Sequence, residues 1–189
     1  MEQTVLVCGL LMLVIVGVSA NIDGSYSTET AIKCENGWVP FQKNCYYYSR
    51  NSKTTFKDAV LNCINLGGSL VEIRSKWEEE WIALHIRVRE YDEGVWLGFN
   101  DLQNEGQFIA MSDAKEPLYT NWGSTEPNNG LHKDEHCVMY WPKYKCWNDS
   151  NCTMKGQLLC KLCAKYKANL NHEFDNIQII RHWLILMQE

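Results

Sequence analysis

Residues 121–152 read NWGSTEPNNGLHKDEHCVMYWPKYKCWNDSNC, and five side chains within them, Glu126, Asn128, Glu135, Asn148 and Asp149, decide how the chain is interpreted. Together they offer three carboxylates and two carboxamides, an all-oxygen donor set. A hard cation such as calcium prefers that set and takes about 6–8 oxygen ligands in flexible geometry, whereas zinc favours Cys and His. Pro127 stands between two of the donors. A cis X–Pro bond lies only about 0.5–1 kcal/mol above trans, and here it would turn Glu126 and Asn128 toward one point.

Upstream, Asn100 to Lys133 is rich in polar residues, Gly and Pro and shows little periodicity. A long irregular stretch inside a domain is commonly functional, and Trp122 within it argues for order. Val95-Trp96-Leu97-Gly98-Phe99, Val138 to Trp141 and Gly156 to Leu162 read as strands. Earlier still, Thr55 with Asp58 and Ser75 with Glu78 carry N-terminal capping signatures of two helices. The first puts Phe56, Ala59, Val60 and Cys63 on one face and ends at Gly67-Gly68. The second, running to about Arg89, repeats Trp77, Trp81, Leu84, His85 and Val88 at helical spacing. Cys34 to Cys45, followed by three tyrosines, suits a small disulfide-closed hairpin.

The 189-residue chain is most simply one domain. Residues 1–20 hold an apolar run from Val5 to Val18 and end Val18-Ser19-Ala20, which reads as a signal peptide, although its only charge is Glu2. An uncleaved anchor is the rival reading, and the run is shorter than the roughly 20 residues of a membrane span. Cleavage would remove Cys8 and leave eight of the nine cysteines, as expected of a disulfide framework in a secreted, extracellular protein. Spacing alone does not select the pairing. Lys and Arg number 18 against 23 Asp and Glu, and no basic patch stands out, so nucleic acid is not an expected partner. Residues 21–33 form a polar lead. Residues 164–189 form a tail whose Ile177, Ile180, Trp183, Leu184 and Met187 suit an amphipathic helix packing on the domain or on a second copy.

With Gly37-Trp38, Cys45-Tyr46, Trp96-Leu97-Gly98, Asn121-Trp122, Glu126-Pro127-Asn128 and Trp147-Asn148-Asp149 in this order, residues 34–163 resemble the C-type lectin-like family. That resemblance implies an α+β fold with two helices, small antiparallel sheets and a long calcium-binding loop. It implies disulfides Cys34–Cys45, Cys63–Cys160 and Cys137–Cys152, the first marking the long form of the domain. It assigns Glu126, Asn128, Glu135, Asn148 and Asp149 to the sugar-binding calcium. Asp134 is the alternative to Glu135, because the stretch before Cys137 is one residue longer than a common family spacing. The order Glu then Asn resembles the mannose-type motif, for glycans with equatorial 3- and 4-hydroxyls: mannose, N-acetylglucosamine, glucose and fucose. Asp101 and Glu105, with Glu135, match a second calcium position whose other acidic places hold Asn129 and His136.

Several residues carry two readings. Cys146 and Cys163 lie outside the three family pairs, and either an antiparallel hairpin joins them or they link subunits. Trp38, Trp96, Trp122 and Trp147 are read as core, and His132 and His136 as solvated loop histidines. Asn148-Asp-Ser and Asn151-Cys-Thr are acceptor sequons, the first incompatible with a metal ligand at Asn148. Innate recognition of mannose-type glycans by a calcium-dependent binding protein is the function implied, with a non-sugar structural or protein-binding module as the alternative. No free acid/base pair or activated nucleophile marks an enzyme.

Overall fold

The computed structural model describes residues 33–163 together with Ile185, apart from the side chains of residues 50–52 and 163. The expected signal peptide, most of the lead and the amphipathic tail lie outside the described residues. Helix α1 (Phe56–Asn65) starts where Thr55 Oγ1 accepts from Asp58 N at 3.2 Å. It stops at Gly67, whose φ of 78° lets Gly67 N reach Ile64 O at 2.8 Å and Gly68 N reach Cys63 O at 2.9 Å. This left-handed ending satisfies two carbonyls that a straight terminus would leave bare. Helix α2 (Lys76–Val88) begins at Ser75, whose hydroxyl accepts from Glu78 N.

The inward face of α2 is not the one its apolar spacing suggests. Trp77, Leu84 and Val88 are 75%, 47% and 71% exposed, while Glu78, Glu79, Ile82 and Ile86 are buried. Both acids are paired. Glu78 Oε1 accepts from Tyr46 OH at 2.7 Å and faces Lys161 Nζ at 2.6 Å, and Glu79 Oε2 accepts from Trp147 Nε1 at 2.6 Å. A carboxylate with such donors is tolerated in the interior, so two polar letters mark the buried side of this helix. Trp81 is half-buried and stacks on Phe41 with ring centroids 4.5 Å apart.

The strands are β1 (Trp38–Phe41), β2 (Asn44–Thr54), β3 (Ser69–Leu70), β4 (Val95–Asn100), β5 (Ile109–Ala110), β6 (Cys137–Trp141), β7 (Cys146–Ser150) and β8 (Gly156–Cys163). Their order is β1-β2-β8-β4-β6-β7, with β3 on β8 and β5 on β4. Two antiparallel ladders, β1-β2-β8-β3 and β5-β4-β6-β7, meet at one parallel pair, Val95 with Gln157. The fold is therefore α+β with small antiparallel sheets.

Disulfides join Cys34 to Cys45, Cys63 to Cys160 and Cys137 to Cys152, the pairs the resemblance implies. The second ties α1 to β8 across 97 residues. In the chain-entropy model, closing a loop of that size stabilises the folded state by about 4–5 kcal/mol. The proposed Cys146–Cys163 bridge is not formed: Cys146 is a free thiol. The hairpin that would have paired these residues does not exist, because β4 and β6 separate β7 from β8 and Cys163 registers with Asn44.

Trp96 and Trp147 are fully buried, and Trp38 and Trp122 pack half-buried against the core, as read from their setting in the sequence. Among the described residues no helix is long and apolar enough to cross a membrane.

Candidate metal and ligand site

The segment between β4 and β6 contains only the two-residue strand β5, so its shape comes from side-chain and backbone anchors. Trp147 N donates to Asn121 O at 2.7 Å and Gly123 N to Trp147 O at 2.8 Å, stapling the loop to β7. Asn121 Nδ2 adds bonds to Glu79 Oε1 at 2.5 Å and Lys145 O at 2.8 Å. The Trp122 ring sits on Phe108 and Trp147, at centroid distances of 4.9 and 5.8 Å. A buried indole on β7 thus carries the loop that follows.

Beyond this anchor the Glu126–Pro127 bond is cis, and Asn128 Nδ2 donates to Glu126 Oε2 at 2.5 Å. Asp149, 1% exposed on β7, takes the loop's backbone: Asn128 N lies 3.1 and 3.0 Å from its two oxygens and Asn129 N lies 2.6 Å from Oδ2. Asn148 is half-buried one residue earlier and donates to Ser150 Oγ at 3.1 Å. Glu135 enters from the loop just before β6, its N–H bonded to Asn129 Oδ1 at 3.0 Å. Gly130, at φ 55°, packs so closely on Glu135 that a Cβ there would fall 2.7 Å from Glu135 Cδ.

The electrostatics agree with this convergence. Partial burial, a hydrogen bond and Coulombic repulsion from Asp149, and repulsion from Glu135 hold the Glu126 carboxyl above its usual range. Glu135 is raised in turn by burial, Asp149 and Asp134. Asp134 itself is exposed and accepts from Asn151 Nδ2 at 2.5 Å. The loop therefore gathers Glu126, Asn128, Glu135 and Asp149, with Asn148 beside them, and its carboxylates push against one another. A donor set of carboxylates and carboxamides carrying surplus negative charge fits a hard divalent cation such as calcium.

A second group joins the two ends of the loop, where it leaves β4 and enters β6. Asp101 is 2% exposed and its Oδ1 is 3.1 Å from His136 Nδ1, which is 3.4 Å from Glu105 Oε2. Asp101 and Glu105 thus come together, but around an imidazole. His136 is half-buried in ion-pairing distance of both acids and not a solvated loop histidine, whereas His132 is exposed.

Sequence reasoning missed Glu79. It appears there as one acid in a run of three, Glu78 to Glu80. In the fold it holds both Trp147 and Asn121, the two residues that carry the loop. A groove of about 970 Å³ lined by Tyr48, Asn62, Leu66, Val88 and Arg89 shares no residue with the loop cluster.

The family model of the Lectin C-type domain matches residues 52–162. A perlucin-like protein of Mytilus galloprovincialis is 32% identical over 148 residues, covering 77% of this chain and 91% of that protein. C-type mannose receptor 2 of Homo sapiens is 36% identical over 142 residues, covering 75% of this chain and only 9% of the receptor. Among solved structures, the cow CD23 carbohydrate-recognition domain, determined with a GlcNAc2Man3 oligosaccharide, aligns with a TM-score of 0.61 at 35% identity. That alignment covers 69% of this chain and 96% of the cow domain. A calcium-independent type II antifreeze protein aligns with a TM-score of 0.62 at 26% identity, over 71% of this chain and 98% of that one.

Proposed function

Because the chain belongs to the C-type lectin domain family, we propose that its long loop binds calcium and, with it, sugars bearing equatorial 3- and 4-hydroxyls, the mannose type. Glu126, Asn128, Glu135, Asn148 and Asp149 would hold the ion, whose spare coordination positions take the two hydroxyl oxygens. The side chains do the selecting. Glu126 and Glu135 accept the hydroxyl protons while the amides of Asn128 and Asn148 donate to the same oxygens, and bonds to ionised carboxylates are about twice as strong as neutral ones. The observation that carries this reading is the gathering of mutually repelling carboxylates beside two carboxamides, with Asp149 gripping the backbone of Asn128 and Asn129.

The protein so proposed is secreted, acts outside the cell by recognising microbial or host glycans, and binds rather than catalyses. Single lectin sites are weak, and several copies in one particle raise avidity by about 10²–10⁴. An oligomer formed through residues 164–189 would supply those copies. The similarity to a calcium-independent antifreeze protein supports one competing reading, a module that recognises a surface without sugar.

Retention on immobilised mannose in calcium, with release by EDTA, is the expected result. Failure to bind any glycan on an array in calcium would sink the lectin reading and leave the competitor.

A further inference from the structure

Asp101, Glu105 and His136 differ in chemistry from the calcium set, which they adjoin where His136 follows Glu135. Asn100 pairs with Cys137 across β4 and β6, and Asp101 N donates to His136 O at 3.1 Å, so two residues of the group sit on adjoining strand ends. The third comes from the turn that follows. There Asn104 N donates to Asp101 O at 3.0 Å and Gly106 N to Asp101 Oδ2 at 2.7 Å, with Gly106 at a φ of 79°. The Cys137–Cys152 disulfide fixes the residue next to His136.

One donor atom from each residue lies within 4.8 Å of the other two. His136 Nδ1 is 3.1 Å from Asp101 Oδ1 and 3.4 Å from Glu105 Oε2. Bonds of about 2.0–2.2 Å in a tetrahedron set neighbouring donors about 3.3–3.6 Å apart, so these separations need little adjustment. Asp101 is almost fully enclosed, and its burial raises its carboxyl above the usual range against the lowering pull of Gly106 N and His136. Two carboxylates thus face one imidazole nitrogen in a compact donor group that a divalent cation can bridge.

We propose that Asp101, Glu105 and His136 form a binding site for a divalent transition metal of the zinc class, in place of a second calcium. An imidazole nitrogen and two carboxylate oxygens make a mixed three-residue shell, which suits a borderline-soft ion with a position left for water. Calcium asks for about 6–8 oxygens and gains nothing from the nitrogen. His136 offers Nδ1, the nitrogen that faces both acids, so the metal takes the position between the imidazole and the two carboxylates.

The test uses the full chain, stripped with chelator and then held in saturating calcium without sugar, so its result is separate from the lectin reading. Titration calorimetry with zinc chloride should give one strong site. Cobalt(II) in the same protein should give the intense visible bands of a tetrahedral complex with nitrogen and oxygen ligands. His136→Ala should weaken zinc by well over about tenfold, since losing a group that merely orients a ligand already costs about 10- to 100-fold. Glu105→Gln, on an exposed turn, should also weaken it and guards against misfolding of the first variant. His132→Ala and the double variant His172→Ala/His182→Ala should bind zinc as the parent does. No zinc uptake in saturating calcium, or uptake that both His136→Ala and Glu105→Gln leave unchanged, would overturn the proposal.

Discussion

Two sets of acids, Glu78 and Glu79 on α2 and Glu126, Glu135 and Asp149 around the loop, differ in whether like charges stand beside their donors. On α2 each acid meets several: Tyr46, Lys161 and the backbone N–H of Arg74 for Glu78, and Trp147, Asn121 and Tyr119 for Glu79. Around the loop Asp149 accepts from Asn128 N and Asn129 N and Glu126 from Asn128 Nδ2, yet Asp149 also repels Glu126 and Glu135. The first set is satisfied by the fold and serves as scaffold. The second keeps carboxylates that repel one another, and on that surplus charge the proposed calcium site rests.

Breaking the scaffold set has the largest expected effect. Glu79→Ala leaves the buried Trp147 Nε1 without its acceptor and the Asn121 amide with Lys145 O alone, and an unmade buried bond costs about 1–3 kcal/mol. With two bonds lost, thermal or urea unfolding should register a destabilisation of about 2–4 kcal/mol, and mannose retention should fall with it because the loop loses its anchor.

The loop set should respond oppositely. Glu135→Gln relieves repulsion at a half-buried loop position, so stability in chelator should change by less than about 0.5 kcal/mol, the usual range for a substitution outside the core. The gain on adding calcium, about 2.7 kcal/mol at a hundredfold excess over the dissociation constant, should disappear. If Glu135→Gln instead unfolded the metal-free protein, the contrast between the two sets would be lost.

A smaller effect is expected at Gly130. Ala there meets Glu135 and must adopt a φ of 55°, which costs about 1–2 kcal/mol for a residue with a Cβ. Calorimetry should find weaker calcium binding, and urea unfolding should show the same loss of about 1–2 kcal/mol.

The least is expected from pH. Burial holds the Glu79 carboxyl above the ordinary value of 4.5, against the lowering influence of Trp147, Asn121 and Tyr119. An acid raised in the folded state binds its proton more tightly there, so its stabilising contribution is complete below that ordinary value and fades as pH climbs through the raised one. In chelator, melting temperatures of Glu79→Gln should therefore lose part of the parent's decline over that interval. A steeper decline in the variant would contradict the sign.

Much of this was legible because the signals are local. Thr55 with Asp58, Ser75 with Glu78 and Gly67-Gly68 specify helix ends within a few residues, and those ends stand where the letters put them. The proposed ligand residues are read from short motifs near cysteines and a tryptophan. What was hidden depends on distant partners. The inward face of α2 follows from Tyr46, Asn121, Trp147 and Lys161, none within 25 positions of their acid. Cys146 and Cys163 look like hairpin partners until β8 is seen to return to β2. Periodicity cannot register a polar residue that the rest of the chain has equipped with a donor.

The first β-ladder has a further consequence. Cys34 is bonded to Cys45, and Asn44 lies opposite Cys163, so the polypeptide enters and leaves the described body at one edge. A unit with adjoining entry and exit can be spliced into a longer polypeptide as a cassette, without opening its interior.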